Sequence, residues 1–183
     1  MAVAICVWNS PAYAQTLELN FSDLFERCRS SVETSLTFDS GGLRATEVEK
    51  RHERSLGAMT DQTGWSLPVS ELYVVLTAWT SHDGPTRHMC DIHVKDEERL
   101  LDASEQGLLL RQFLIHQTKL IGARTHEIDR QLSPIPPIIN AAFLLSESNP
   151  RGCTVNNTLA MSPDGTFFSA GSGEQGIKEC EIR

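Results

Sequence analysis

Long apolar runs are missing from this sequence. No stretch of its 183 residues approaches the roughly 18 consecutive apolar positions a membrane-spanning helix needs, so an integral helical membrane protein is excluded. Basic residues are also scarce. Sixteen Lys and Arg face 24 Asp and Glu, giving a formal net charge of -8, and without a basic face a nucleic-acid partner loses its electrostatic basis. No CxxC pair occurs among the five cysteines, which argues against a zinc ribbon or a thioredoxin-type motif, since both need two sulfurs one short turn apart. GxSxG elbows, P-loops and a complete HExxH are absent as well.

Charge is absent from the first fourteen residues, MAVAICVWNSPAYA, which are largely apolar and close on Ala12, Tyr13 and Ala14 before Gln15. That ending matches the AxA pattern of signal peptidase sites, so residues 1–14 read as a secretory signal, complete or clipped, with cleavage after Ala14. Residues 15–183 then form a single domain, large enough to bury a core without crosslinks as a precondition. Cys6 would leave with the leader. Cys28, Cys90, Cys153 and Cys180 remain as disulfide candidates, an even number that allows three pairings in an oxidising compartment. The expected location is periplasmic or secreted.

Along the chain, apolar residues at 17, 21, 24, 25, 28 and 32 have helical spacing, and Ser22 and Asp23 stand near the start of that helix as possible caps. Residues 39–64 are polar and punctuated by glycine, with a charged middle at 47–54, and read as a loop carrying at most a short exposed helix. The β-branched and aromatic run at 72–80, the turn formers at 82–86 and a return strand at 87–95 make the clearest hairpin. Asp96 can cap a second helix with Glu97 and Glu98 in its first turn, extending to about Ile121, with Gly107 as a break. After the prolines at 134–137, strands are expected at 138–145, 153–161 and 166–170, with turns at 149–152 and 163–165. The architecture is α+β: two helices packed on a mainly antiparallel sheet, because the strand connections are too short for crossovers. Arg87, Cys90 and Ile92 in one half match Arg151, Cys153 and Val155 in the other, which suggests a degenerate αβββ duplication.

Cys28 in the first helix, Arg87 with Cys90 on one hairpin and Arg151 with Cys153 on another give a layout that resembles small exported proteins of unknown function from alphaproteobacteria. The resemblance implies export and supplies no reaction.

Catalytic signals weaken on inspection. His82, His88 and His93 share one hairpin with Asp83 and Asp91 and are the metal-ligand candidates. Strand alternation, however, sends His88 and Cys90 to one face and Asp91 and His93 to the other. Gly171, Gly173 and Gly176 satisfy GxGxxG, yet only seven residues follow, too few for a dinucleotide-binding unit, so the segment reads as a glycine-rich loop after the last strand. No cofactor is expected. The leading expectation is an exported, non-catalytic binding or interaction domain of the bacterial cell envelope, with an envelope protein or small ligand as partner and Trp65, Tyr73 and Trp79 as candidate binding residues. The alternative is a small secreted hydrolase or metal-dependent enzyme using the histidines of the 82–93 hairpin.

Overall fold

The structure, a computed structural model, describes residues 11–34, 37–48, 59–68, 70–80, 86–95, 99–121, 125–129, 133–134, 137–145 and 148–175. Its helices are α1 (Pro11–Glu33) and α2 (Ala103–Ile121). The strands are β1 (Arg44–Thr46), β2 (Met59–Ser66), β3 (Leu72–Thr80), β4 (Thr86–Val94), β5 (Thr125–Asp129), β6 (Ser133–Pro134), β7 (Pro137–Leu145), β8 (Thr154–Met161) and β9 (Phe168–Gln175). Eight strands form one antiparallel sheet in the order β1-β2-β3-β4-β9-β8-β7-β5, with the two-residue β6 paired to β7. The fold is α+β.

The order reads as two similar halves. Each begins with a helix and continues into four sheet strands laid side by side, and the last strand of each half, β4 and β9, pair in the middle. The repeat therefore carries four strands where the sequence suggests three. Arg87 and Cys90 lie on β4, whereas Arg151 and Cys153 precede β8, the counterpart of β3. The arginine–cysteine match thus falls on strands that do not correspond.

The spacing at 17, 21, 24, 25, 28 and 32 becomes the buried stripe of α1, each residue under 5% exposed. The helix starts a turn or more earlier than expected, at Pro11, where proline's fixed φ suits the first helical position. Ser22 and Asp23 therefore lie inside it: Ser22 Oγ meets His116 Nε2 at 2.9 Å and Asp23 pairs with Arg27 at 3.1 Å. Across the helix pair, Phe25 sits edge-on to Phe113 with centroids 5.3 Å apart.

The second helix begins at Ala103; Asp96–Glu98 lie outside the described residues. Asp102 is the cap. Its Oδ1 accepts from the Ser104 and Glu105 amides, and Glu105 Oε2 accepts from the Asp102 amide at 2.9 Å, a reciprocal capping box. Helix α2 runs through Gly107 without a break, because a glycine costs a helix only about 1 kcal/mol. Strand β2 occupies part of the stretch read as a loop. Its polar residues Asp61, Gln62 and Thr63 hide a strand because it lies one place from the sheet edge, paired fully with β3 and with only the short β1 beyond. The charged segment 47–54 falls mostly outside the described residues.

Gly171 and Gly173 belong to β9 in the centre of the sheet and are buried, so they form no loop. Glycine is needed at 171 because a Cβ there would come within 2.1 Å of the Cys90 carbonyl oxygen. Gly176 lies outside the described residues. Gly165, at φ 77°, closes the β8–β9 turn against Leu101, whose amide donates to the Gly165 carbonyl at 3.1 Å.

Candidate functional site

Both helices pack on the sheet face that carries Val74, Cys90, Ile92, Val155, Leu159 and Ala170. Strand register arranges this face as parallel rows running across the sheet. One row, Trp65–Val74–Ile92–Ala170–Leu159, is wholly apolar. The next, Thr63–Leu76–Cys90–Ser172–Asn157, is mixed. Beyond it Asp61, Ala78 and His88 align, with Glu174 and Val155 completing the level. Polarity therefore rises toward the carboxyl end of α1.

At the mixed row the helix is bolted to the sheet by a disulfide between Cys28 and Cys90, Cα atoms 5.2 Å apart and both residues fully buried. Cys153 is also disulfide-bonded; Cys180 lies outside the described residues.

One step further, Glu174 is buried with its side chain wholly shielded. Its Oε2 accepts from the His88 amide at 2.7 Å and from Arg151 at 3.1 Å, and its Oε1 accepts from Asn149 Nδ2 at 2.7 Å. Burial alone would raise the carboxyl's pKa, but the bonds from His88 and Asn149 and the charge of Arg151 outweigh it and hold Glu174 below its ordinary value. Asn149 is saturated: Nδ2 also donates to the Val32 carbonyl at 2.9 Å, while Oδ1 accepts from the Arg151 and Cys153 amides, both at 3.0 Å. Through it the β7–β8 turn grips the last turn of α1. Arg151 additionally donates to the Thr86 carbonyl at 2.5 Å and to His88 Nδ1. Nδ1 of His88 also stands 3.5 Å from Glu174 Oε2.

Beside His88 lies a cavity of about 170 Å³. Val32, Phe38, Leu76 and Ala78 give it an apolar wall, and Ser31, Asp61, Thr63 and His88 bring polar groups to it. Phe38 also borders a neighbouring cleft of about 380 Å³ with Glu26, Arg27 and Asp39. Its ring rests against Trp65 with centroids 5.1 Å apart.

The candidate binding aromatics are split. Trp65 supports Phe38 on the helix-covered face, whereas Tyr73 and Trp79 occupy alternate positions on the opposite face. There Tyr73 lies 5.4 Å from the His93 ring and Trp79 lies beneath Arg87 at 4.9 Å. His88 and His93 are likewise on opposite faces, so the hairpin does not bring them to one ion; His82 lies outside the described residues. Among the described residues no group of three or more His, Cys, Asp or Glu is placed to hold a metal. Glu174, Asn149 and Asp61 are not foreseeable from the sequence. Their types are common on surfaces, and only the register places them under α1. No family model matches the chain, and neither a curated protein nor a solved structure proves similar to it.

Proposed function

We propose that the protein is an exported, non-catalytic binding domain of the bacterial cell envelope, periplasmic or secreted. The observation that carries the reading is the Cys28–Cys90 disulfide, fully buried where α1 crosses the central strands. Thiols in a reducing cytosol stay unpaired, so a crosslink built into the core suits a chain that matures in an oxidising compartment. A third bonded cysteine, Cys153, and the AxA ending at Ala12–Ala14 agree with it. Cleavage after Ala14 would remove only the first four residues of α1 and leave its buried stripe, from Leu17 onward, intact.

Binding is favoured over chemistry because the buried carboxylate and amide beside the cavity, Glu174 and Asn149, are engaged within the protein. Both carboxylate oxygens of Glu174 and both ends of the Asn149 amide are committed inside the protein, so they hold the structure and are not free to attack or to shuttle protons.

The test is mass spectrometry of the chain expressed with export in a bacterial host, before and after reduction. A mature species beginning at Gln15 that gains four hydrogens on reduction is the expected result. An unprocessed terminus with free thiols at Cys28 and Cys90 would overturn the proposal.

A further inference from the structure

We infer that the cavity between the last turn of α1, strands β2–β4 and Phe38 is a site for a small organic cation, an alkylammonium group carried on a short apolar body. The inference rests on the binding-domain reading and adds the site and ligand class.

Size comes first. At about 170 Å³, the cavity holds roughly five or six water-sized groups, which suits a compact molecule and excludes a nucleotide or a peptide side chain with its backbone. The apolar wall of Val32, Phe38, Leu76 and Ala78 favours carbon over water in the interior.

Charge then selects the ligand. The nearby arginine is not open to an anion: Arg151 is engaged by Glu174, the Thr86 carbonyl and His88 Nδ1. Among the described residues, the one full charge on the cavity lining without a counter-ion is the Asp61 carboxylate, an exposed residue paired with Ala78 on the helix-covered face of β2. A ligand placing an ammonium at Asp61 and its carbons against Phe38 and Leu76 satisfies both ends. A hydroxyl on the same molecule, able to donate or accept, has a hydrogen-bonding partner in the His88 ring on the cavity lining. The chain's overall charge of -8 draws cations and repels anions.

The test is two-dimensional amide NMR of the intact chain titrated with choline, with propylamine, and with 3,3-dimethylbutan-1-ol as choline's neutral isostere. For the amines, saturable shifts should centre on Val32, Thr63, Ala78 and His88, and the neutral isostere should bind at least tenfold more weakly. Asp61→Asn, a change at an exposed side chain, should weaken the amines about tenfold and leave the isostere unchanged. Ala78→Leu, which fills the cavity, should abolish both.

Equal binding of amine and isostere, or amine affinity unmoved by Asp61→Asn, would overturn the assignment. So would an absence of saturable shifts at these four residues. Shifts that gather instead around Tyr73 and Trp79 would overturn this site and leave the binding-domain reading standing, whereas failure of that reading appears separately in the mass of the exported chain.

Discussion

Removal of the Cys28–Cys90 crosslink should be the most informative single perturbation of this fold. The two residues are 62 apart in sequence, and the bond ties the carboxyl-terminal third of α1 to the central strand β4. In the chain-entropy treatment a loop of that length restricts the unfolded ensemble by about 14 cal/mol/K, which is about 4 kcal/mol at 25 °C. For a chain of this size, 4 kcal/mol corresponds to a fall in Tm of roughly 10–15 °C. Cys28→Ala/Cys90→Ala avoids leaving buried hydroxyls, and the lost sulfurs add a packing term of the same sign. The assay is thermal unfolding by circular dichroism of the oxidised protein and the double variant, with a peptide map of the oxidised sample to confirm the pair. Because both residues are fully buried, a mild reductant at 25 °C should leave the native bond intact and cleave it only once the chain unfolds. A drop in Tm below about 3 °C, or a map that joins Cys28 to Cys153, would refute the reasoning.

Four further perturbations follow from the same structure. Arg151→Ala should cost about 3–5 kcal/mol in urea unfolding, because it leaves the shielded Glu174 carboxylate without its cation, and adding Glu174→Gln should recover part of the loss; no recovery would mean that Arg151 acts through packing alone. The Asp91 carboxyl is pushed up to about 7 by burial. Unfolded it titrates near 4, so the folded chain holds the proton more tightly, and its influence on stability is absent below about pH 4, grows unfavourable as pH rises toward 7 and is constant above. Asp91→Asn should therefore gain about 2 kcal/mol at pH 8 and nothing at pH 3.5, and an equal change at both pH values would contradict that sign. Gly165→Ala should cost about 2–4 kcal/mol, since φ is 77° and the new Cβ would stand 2.1 Å from the Leu101 oxygen. Gly107→Ala, with open space around it in α2, should instead gain up to about 1 kcal/mol.

The elements legible in the sequence are those whose pattern is set by burial. The stripe of α1 and the β3–β4 hairpin can be read directly, because a half-buried helix and a half-buried strand each impose their own period on apolar residues. Strand β2 escapes that reading. With Asp61, Gln62 and Thr63 in succession it has no alternation, and its pairing with β3 supplies the order that its own side chains do not advertise. The start of α2 misleads for a different reason. Asp96 followed by Glu97 and Glu98 is a fair helix start on local grounds, but Asp102 with Glu105 closes a reciprocal capping box, and Leu101 is held outside the helix by the β8–β9 turn. Gly171 shows the opposite case, a loop-like residue that the fold requires in a central strand because the Cys90 backbone comes too close for any side chain.

The candidate site is less legible than the fold, and the reason lies in its distance along the chain. Glu174 meets His88 across 86 positions, and Asn149 meets Val32 across 117. No local spacing carries such a meeting; it exists only once β4 and β9 have paired and α1 has been laid across them. Strand alternation does separate His88 from His93, and that much of the site is accessible from sequence. It cannot say which of the two faces is covered. Coverage is what turns His88 from one of three hairpin histidines into the residue held by Arg151 beside a cavity, and coverage depends on α1, which the Cys28–Cys90 bond fixes one residue pair away from His88 along β4. The crosslink and the cavity are thus parts of one arrangement: the bond anchors the helix that contributes Ser31 and Val32 to the cavity beside Ala78 and His88. The Cys28→Ala/Cys90→Ala variant should for this reason weaken amine binding at temperatures where it remains folded, even though neither cysteine lines the cavity.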